Sequence, residues 1–97
     1  MSKGINVEVR TGLFARVKYK LKAAADGLTF TPAAKGGDKI SIPAASIREI
    51  TFYEARLQME VQTNILTDAF FANADDLHDV MNTLKDNTEL KIVCEFN

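Results

Sequence analysis

The sequence predicts an α+β fold in which a strongly bent antiparallel sheet is closed by a single late helix. Up to residue 72, short segments alternate apolar and polar residues, as strands with one buried face do. Residues 73–85 then carry an amphipathic helix pattern, and residues 90–96 return to strand-like alternation. Strand patterns followed by one covering helix are typical of α+β domains.

The first two strands are predicted by parity. Residues 5–10 alternate, and after Thr11-Gly12 the odd positions of residues 13–21 are apolar again. Residues 23–27 are expected to form a turn, because Asp26-Gly27 is a strong turn signal.

Three further strands are predicted in the middle of the chain. Residues 28–31 and 40–42 each precede a proline, and the glycine-containing loop 35–38 joins them as a hairpin. Residues 47–53 change phase, since their apolar side chains move from an odd to an even position. A bulge or a short helical turn near residues 46–48 would explain this shift.

The remaining strands flank the helix. Residues 57–62 alternate with Leu57 as an apolar position, a turn is predicted at residues 64–68, and residues 69–72 lead into the helix. Residues 90–96 predict an extra C-terminal strand in which Cys94 occupies an apolar position and is expected in the core. The short connections indicate a mostly antiparallel sheet.

The sequence predicts both ends of the helix and its buried face. Asn73 is a good N-cap residue, the acids that follow suit a first turn, and Lys85 suits the last turn. One face is apolar, and it comprises Leu77, Val80, Met81 and Leu84. A helix of this length needs a sheet to cover that face.

Length and composition predict one domain over residues 1–97. The single cysteine excludes an intramolecular disulfide and fits a reducing compartment. No apolar run reaches the length of a membrane span, and the N-terminus has no signal-like apolar core. We therefore expect a soluble, cytoplasmic protein without a transmembrane segment.

Three stretches resemble bacterial pleckstrin-homology-like (PH-like) and GRAM-like domains. Residues 20–32 resemble their opening hairpin, residues 42–52 their third-to-fourth strand step, and residues 70–81 the last strand entering the capping helix. The resemblance covers about residues 13–86 and leaves the terminal strands, about 5–10 and 90–96, outside it. It implies a bent, partly open barrel of about seven strands with one helix, which binds lipids, peptides or proteins and has no enzymatic activity.

The charges are unevenly distributed along the chain. Residues 1–22 hold six of the 12 cations and one of the 13 acids. Four of these cations occupy alternate positions and should line one strand face: Arg16, Lys18, Lys20 and Lys22. This face predicts either a solvated strand or a surface that binds anionic lipid. The slightly acidic net charge and the lack of aromatic residues along the stripe argue against nucleic acid.

Two apolar features predict contact with a partner. Ile65 and Leu66 fall in a predicted turn, where they are a membrane-inserting tip, a partner contact or misplaced strand residues. The terminal strands, including Leu90 and Ile92, would leave exposed edges unless they pair within the chain or across a homodimer axis.

The chemical inventory is small. Asp75, Asp76, His78 and Asp79 could share a metal, but acids in a first helical turn have a simpler explanation in helix capping. His78 and Cys94 have no third group at a recognisable catalytic spacing, so we expect no catalytic residue, metal or cofactor.

Three functions therefore remain as hypotheses. The leading one is a non-catalytic interaction module that binds a protein partner or itself. The second is peripheral binding to an anionic membrane through the basic strand. The most distant is a metal-dependent enzyme that uses His78 and its acidic neighbours.

Overall fold

The computed structural model describes residues 4–13, 15–86 and 89–96. These described residues form eight strands, two single-turn 3₁₀ helices and one α-helix. The strands are β1 (Ile5–Arg10), β2 (Arg16–Ala24), β3 (Gly27–Pro32), β4 (Ile40–Pro43), β5 (Glu49–Tyr53), β6 (Gln58–Gln62), β7 (Leu66–Phe71) and β8 (Ile92–Glu95). The helix α1 spans Ala74–Lys85, and the two 3₁₀ turns span Ala44–Ser46 and Glu54–Arg56.

The strands form one open sheet in the order β4-β3-β2-β1-β7-β6-β5-β8. Consecutive strands pair antiparallel from β1 to β4 and from β5 to β7, and β1 joins the two groups by pairing with β7 as well as β2. β8 pairs parallel with β5, so the sheet is mixed rather than wholly antiparallel. A strand that returns after a helix crossover can meet its neighbour in this way.

The core lies between the bent sheet and the helix. Its fully buried side chains include Phe30 and Phe52 from the sheet and Leu77 and Leu84 from the helix. All four apolar helix residues predicted to face the sheet are buried. The predicted cap is also present, because Asn73 Oδ1 accepts a hydrogen bond from the Asp76 amide at 2.9 Å.

The loop between β1 and β2 is longer than predicted. β2 begins at Arg16 rather than at residue 13, and Leu13 is 91% exposed in the connecting loop instead of facing the core. The hairpin that opens the fold is therefore β1–β2, and residues 20–32 form the second hairpin.

A short helical turn accounts for the change of phase in the middle of the chain, as predicted, but it lies slightly earlier than residues 46–48. A 3₁₀ turn occupies Ala44–Ser46, earlier than residues 46–48, and β5 starts at Glu49. A second 3₁₀ turn ends at Arg56 and is followed by Leu57, whose φ of 53° lies in the left-handed region, so β6 begins one residue later than predicted. The left-handed conformation is sterically unfavourable for leucine, so the residue type at position 57 does not predict it.

The C-terminal half contains two more corrections. The predicted turn at 64–68 is confined to residues 63–65, since β7 already starts at Leu66. Cys94 is exposed rather than in the core, because β8 is an edge strand, and its thiol contacts the Met81 sulfur at 3.2 Å. Both terminal strands pair within the chain, β1 on both of its sides and β8 with β5.

Candidate binding face on the outer side of the sheet

The four predicted cations lie together on the side of the sheet that faces away from the core, here called the outer face. Arg16, Lys18, Lys20 and Lys22 are all exposed on β2. Of the apolar residues between them, Tyr19 and Leu21 are buried as predicted, whereas Val17 is 40% exposed near the start of the strand. The strand period of two places them in one line, and we call this line the β2 basic face.

An aromatic ring lies beside the start of this line. Phe70 of β7 is half-buried on the outer face, because its neighbour Phe71 points into the core. The guanidinium carbon of Arg16 is 3.8 Å from the centre of the Phe70 ring, and that of Arg10 is 5.2 Å from it. Both distances suit a cation–π interaction.

Carboxylates balance these two arginines. Arg16 Nη1 lies 3.6 Å from Glu8 Oε1, and Arg10 Nη1 lies 3.6 Å from Asp68 Oδ2. Asp68 also accepts a hydrogen bond from Gln58 Nε2 at 2.9 Å, and Gln58 is buried although it belongs to the outer face. The arginines are therefore fixed in place by partners within the sheet.

A cleft of about 500 Å³ opens at this point. It lies over β1, β2 and the end of β7, and the start of the β3–β4 loop borders it at Ala33. Arg16 and Lys18 contribute the cationic wall, Phe70 the apolar surface and Glu8 the one carboxylate of the lining. Such a combination of an apolar surface and a few charged groups suits recognition of a partner's side chains.

The fold that carries this cleft matches solved structures. A chain of the Spt16D–Pob3N heterodimer superposes with a TM-score of 0.74 at 11% sequence identity, covering 97% of this chain and 54% of that one. The N-terminal PH domain of human ARAP2 superposes with a TM-score of 0.69 at 17% identity, covering 90% of this chain and 82% of that chain. The protein has a PH-like fold.

The predicted fold class is thus confirmed, and the comparisons reach no further than the fold. The chain spans about half the length of the Spt16D–Pob3N chain it matches. No protein-family model and no curated protein matches the sequence.

The other predicted contact residues lie elsewhere on the PH-like sheet. Ile65 in the β6–β7 turn is 70% exposed, and Leu66 at the start of β7 is 60% exposed. Leu90 and Ile92 are half-buried and pack against the core, and two strands separate β8 from β7. The structure does not bring these four residues into one patch, and their contact with a partner stays a prediction.

The acidic residues at the start of α1 and His78 are the candidates for a metal site. His78 Nε2 lies 2.8 Å from Glu54 Oε1, which links α1 to the second 3₁₀ turn. Within the described ranges, no three His, Cys, Asp or Glu side chains come close enough to hold a metal ion. No helix in that part of the chain has the length and apolar character needed to cross a membrane.

The sequence predicts the four cations of this surface but not the aromatic and acidic groups around them. The signal for Phe70 was available, because adjacent phenylalanines in a strand must point to opposite faces. Glu8 and Asp68 could not be found in this way, since their contacts depend on which strands are neighbours in the sheet.

Proposed function

We propose that this chain is a non-catalytic, PH-like interaction module that binds a protein partner through the cleft over β1, β2 and β7. The observation that carries the proposal is the meeting of Arg16, Lys18 and Phe70 on one exposed surface. Aromatic and arginine side chains contribute disproportionately to protein interfaces. The proposal follows the resemblance to bacterial PH-like and GRAM-like modules and adds a location for the contact.

Affinity capture tests this function directly. The wild-type chain and a Lys18→Glu/Phe70→Ala variant are used as baits in a lysate of the native host, and captured proteins are identified by mass spectrometry. An Arg48→Glu/Lys85→Glu bait is the control, because it changes exposed cations outside the cleft. We expect a protein retained by the wild type and the control and lost from the cleft variant. Equal recovery on all three baits would contradict the proposal.

Self-association is the second form that protein binding could take. β8 ends the sheet, and its outer edge pairs with no other described strand. Two copies could join there, and the exposed Ile65 and Leu66 offer a further apolar contact. Light scattering over a range of concentrations tests this, and a strict monomer at high concentration would exclude it.

Binding to an anionic membrane is the alternative function, and one arrangement favours it. Leu13 in the β1–β2 loop and Ile65 in the β6–β7 turn are strongly exposed at the same end of the sheet, near Arg16. Apolar side chains next to a cation suit insertion beside acidic headgroups. Co-sedimentation with vesicles, with and without phosphatidylserine, tests the idea. A Leu13→Ser/Ile65→Ser variant that sediments as well as the wild type would contradict it.

A further inference from the structure

We propose that the β2 basic face binds an extended acidic peptide segment in which every second residue is a carboxylate. The inference rests on the proposed protein-binding function and specifies the chemistry of its partner. The contacting cations are Lys18, Lys20 and Lys22.

These lysines differ from the neighbouring arginines in their partners. Arg16 and Arg10 have carboxylates within 4 Å, whereas no acidic side chain of the described residues forms an ion pair with Lys18, Lys20 or Lys22. Glu8 lies opposite Lys18, but its carboxylate pairs with Arg16, so the three lysines leave an excess of positive charge on this face. Neighbouring cations repel one another, and a bound anion would relieve that repulsion. The β2 basic face is therefore complementary to several negative charges rather than to one.

The spacing of the lysines matches the side-chain repeat of an extended peptide. Alternate residues of a strand are about 6.6 Å apart, and side chains on one side of an extended peptide have the same repeat. A peptide that lies along β2 with a carboxylate at every second position can therefore meet each lysine in turn. Each ion pair between a lysine and a peptide carboxylate is weak at an exposed surface. The preference for an alternating acidic peptide therefore depends on forming all three pairs at once.

The groups on either side of the lysines favour an extended segment over a helix. Lys20 lies opposite Asn6 of β1 and Thr31 of β3, and Lys22 lies opposite Thr29. These uncharged side chains can hydrogen-bond to the backbone amides of an extended peptide, which are unpaired. A helix already satisfies its own backbone groups and cannot use them.

Lys20 and Lys22 lie far from the end of the sheet that would contact a membrane. The apolar end of the sheet, with Leu13 and Ile65, lies beside Arg16 at the start of β2. Lys22 is six residues farther along the strand, which corresponds to about 20 Å. That exceeds the Debye length of about 8 Å at physiological salt, so a membrane holding this end would hardly attract Lys22. An elongated ligand reaches all three lysines.

Fluorescence anisotropy with defined peptides tests the proposal. The probe is a labelled peptide in which Glu alternates with Ser, and the comparison is an alanine-rich helical peptide with the same number of Glu residues at every fourth position. We expect the alternating peptide to bind more tightly. We also expect Lys20→Glu/Lys22→Glu to weaken it roughly 10-fold or more, because favourable contacts become repulsive. The Arg48→Glu/Lys85→Glu control should bind like the wild type.

Three results would overturn the inference: equal affinity for both peptides, equal loss in the control variant, or binding to phosphatidylserine vesicles without binding to the alternating peptide. The affinity-capture experiment separates this failure from failure of the proposed function. If the alternating peptide does not bind while the Lys18→Glu/Phe70→Ala bait still loses its protein, the protein-binding function stands and the acidic-peptide inference is wrong.

Discussion

The guanidinium of Arg16 stacks 3.8 Å from the centre of the Phe70 ring, although their strands, β2 and β7, are separated by β1. The side chain thus crosses the outer side of β1, where Glu8 lies 3.6 Å from its Nη1. The contact joins the two groups of antiparallel strands on the side of the sheet opposite the core. It also holds an arginine and an aromatic ring in a fixed arrangement at the cleft.

We expect a double-mutant cycle to measure this contact. Arg16→Ala and Phe70→Ala, alone and together, should give a coupling of about 0.5–1 kcal/mol in the free energy of unfolding, since the pair is partly exposed. The cycle of Arg10→Ala with Phe70→Ala should give less, because that guanidinium lies 5.2 Å from the ring. Urea unfolding provides the values. A larger coupling for Arg10 than for Arg16 would contradict the geometry.

Asp68 should contribute more to the free energy of unfolding than most residues on the outer face of the sheet. Its carboxylate accepts from the buried Gln58 amide and pairs with Arg10. Asp68→Ala leaves the buried amide donor without its partner, which should cost about 1–3 kcal/mol of stability. Asp68→Asn keeps a carbonyl acceptor and should cost less.

Glu60 offers the matched control, because it lies directly opposite Asp68 on β6. Glu60→Ala should change the free energy of unfolding by within about 0.5 kcal/mol, as surface substitutions usually do. Equal urea midpoints for Asp68→Ala and Glu60→Ala would show that the hydrogen bond to Gln58 contributes nothing.

Gly27 at the start of β3 should be far less replaceable than Gly36 in the β3–β4 loop. Gly27 has a φ of +148°, and a Cβ there would lie 2.3 Å from the carbonyl oxygen of Ile42. Gly36 has a φ of +88° with open space around it. Gly36→Ala should therefore cost about 1 kcal/mol from backbone strain, and Gly27→Ala about 3 kcal/mol or more. Similar melting temperatures for the two variants would contradict this ranking.

The helix could be predicted in detail because its signals are local. The Asn73 cap and the spacing of its apolar residues depend only on positions three or four residues apart. The same holds for the β2 basic face, where alternation alone places Lys18, Lys20 and Lys22 on one side. These parts of the fold and of the candidate site could be read without knowing any partner strand.

What could not be predicted depends on strand neighbours. Thr51 and Gln58 occupy outer-face positions and are buried, because side chains on adjacent strands cover them. Cys94 follows a core-like alternation and is exposed, because β8 lies at the edge of the sheet. The anchoring of Arg16 by Glu8 likewise needs the pairing of β1 with β2, which alternation does not specify.

The ionisation of Tyr53 tests the electrostatic effect of the carboxylates near it on β6 and β8. Partial burial raises the pKa of its hydroxyl above the ordinary 10.0, and the carboxylates of Glu60 and Glu95 raise it further. Arg56, whose guanidinium carbon lies 4.4 Å from the ring centre, opposes this rise in pKa. Glu95→Gln should therefore lower the pKa of Tyr53, and Arg56→Gln should raise it.

Ultraviolet absorbance of the phenolate measures this ionisation, with Tyr19→Phe as the background so that Tyr53 is the remaining tyrosine. Asp26→Asn is the control, since that acid lies in the β2–β3 turn on the far side of the sheet. Because the folded state holds the proton more tightly, the stability contributed by Tyr53 is present below pH 10.0 and declines as the pH rises through the folded pKa. An unchanged titration in Glu95→Gln would show that the Glu95 carboxylate does not raise the pKa of Tyr53.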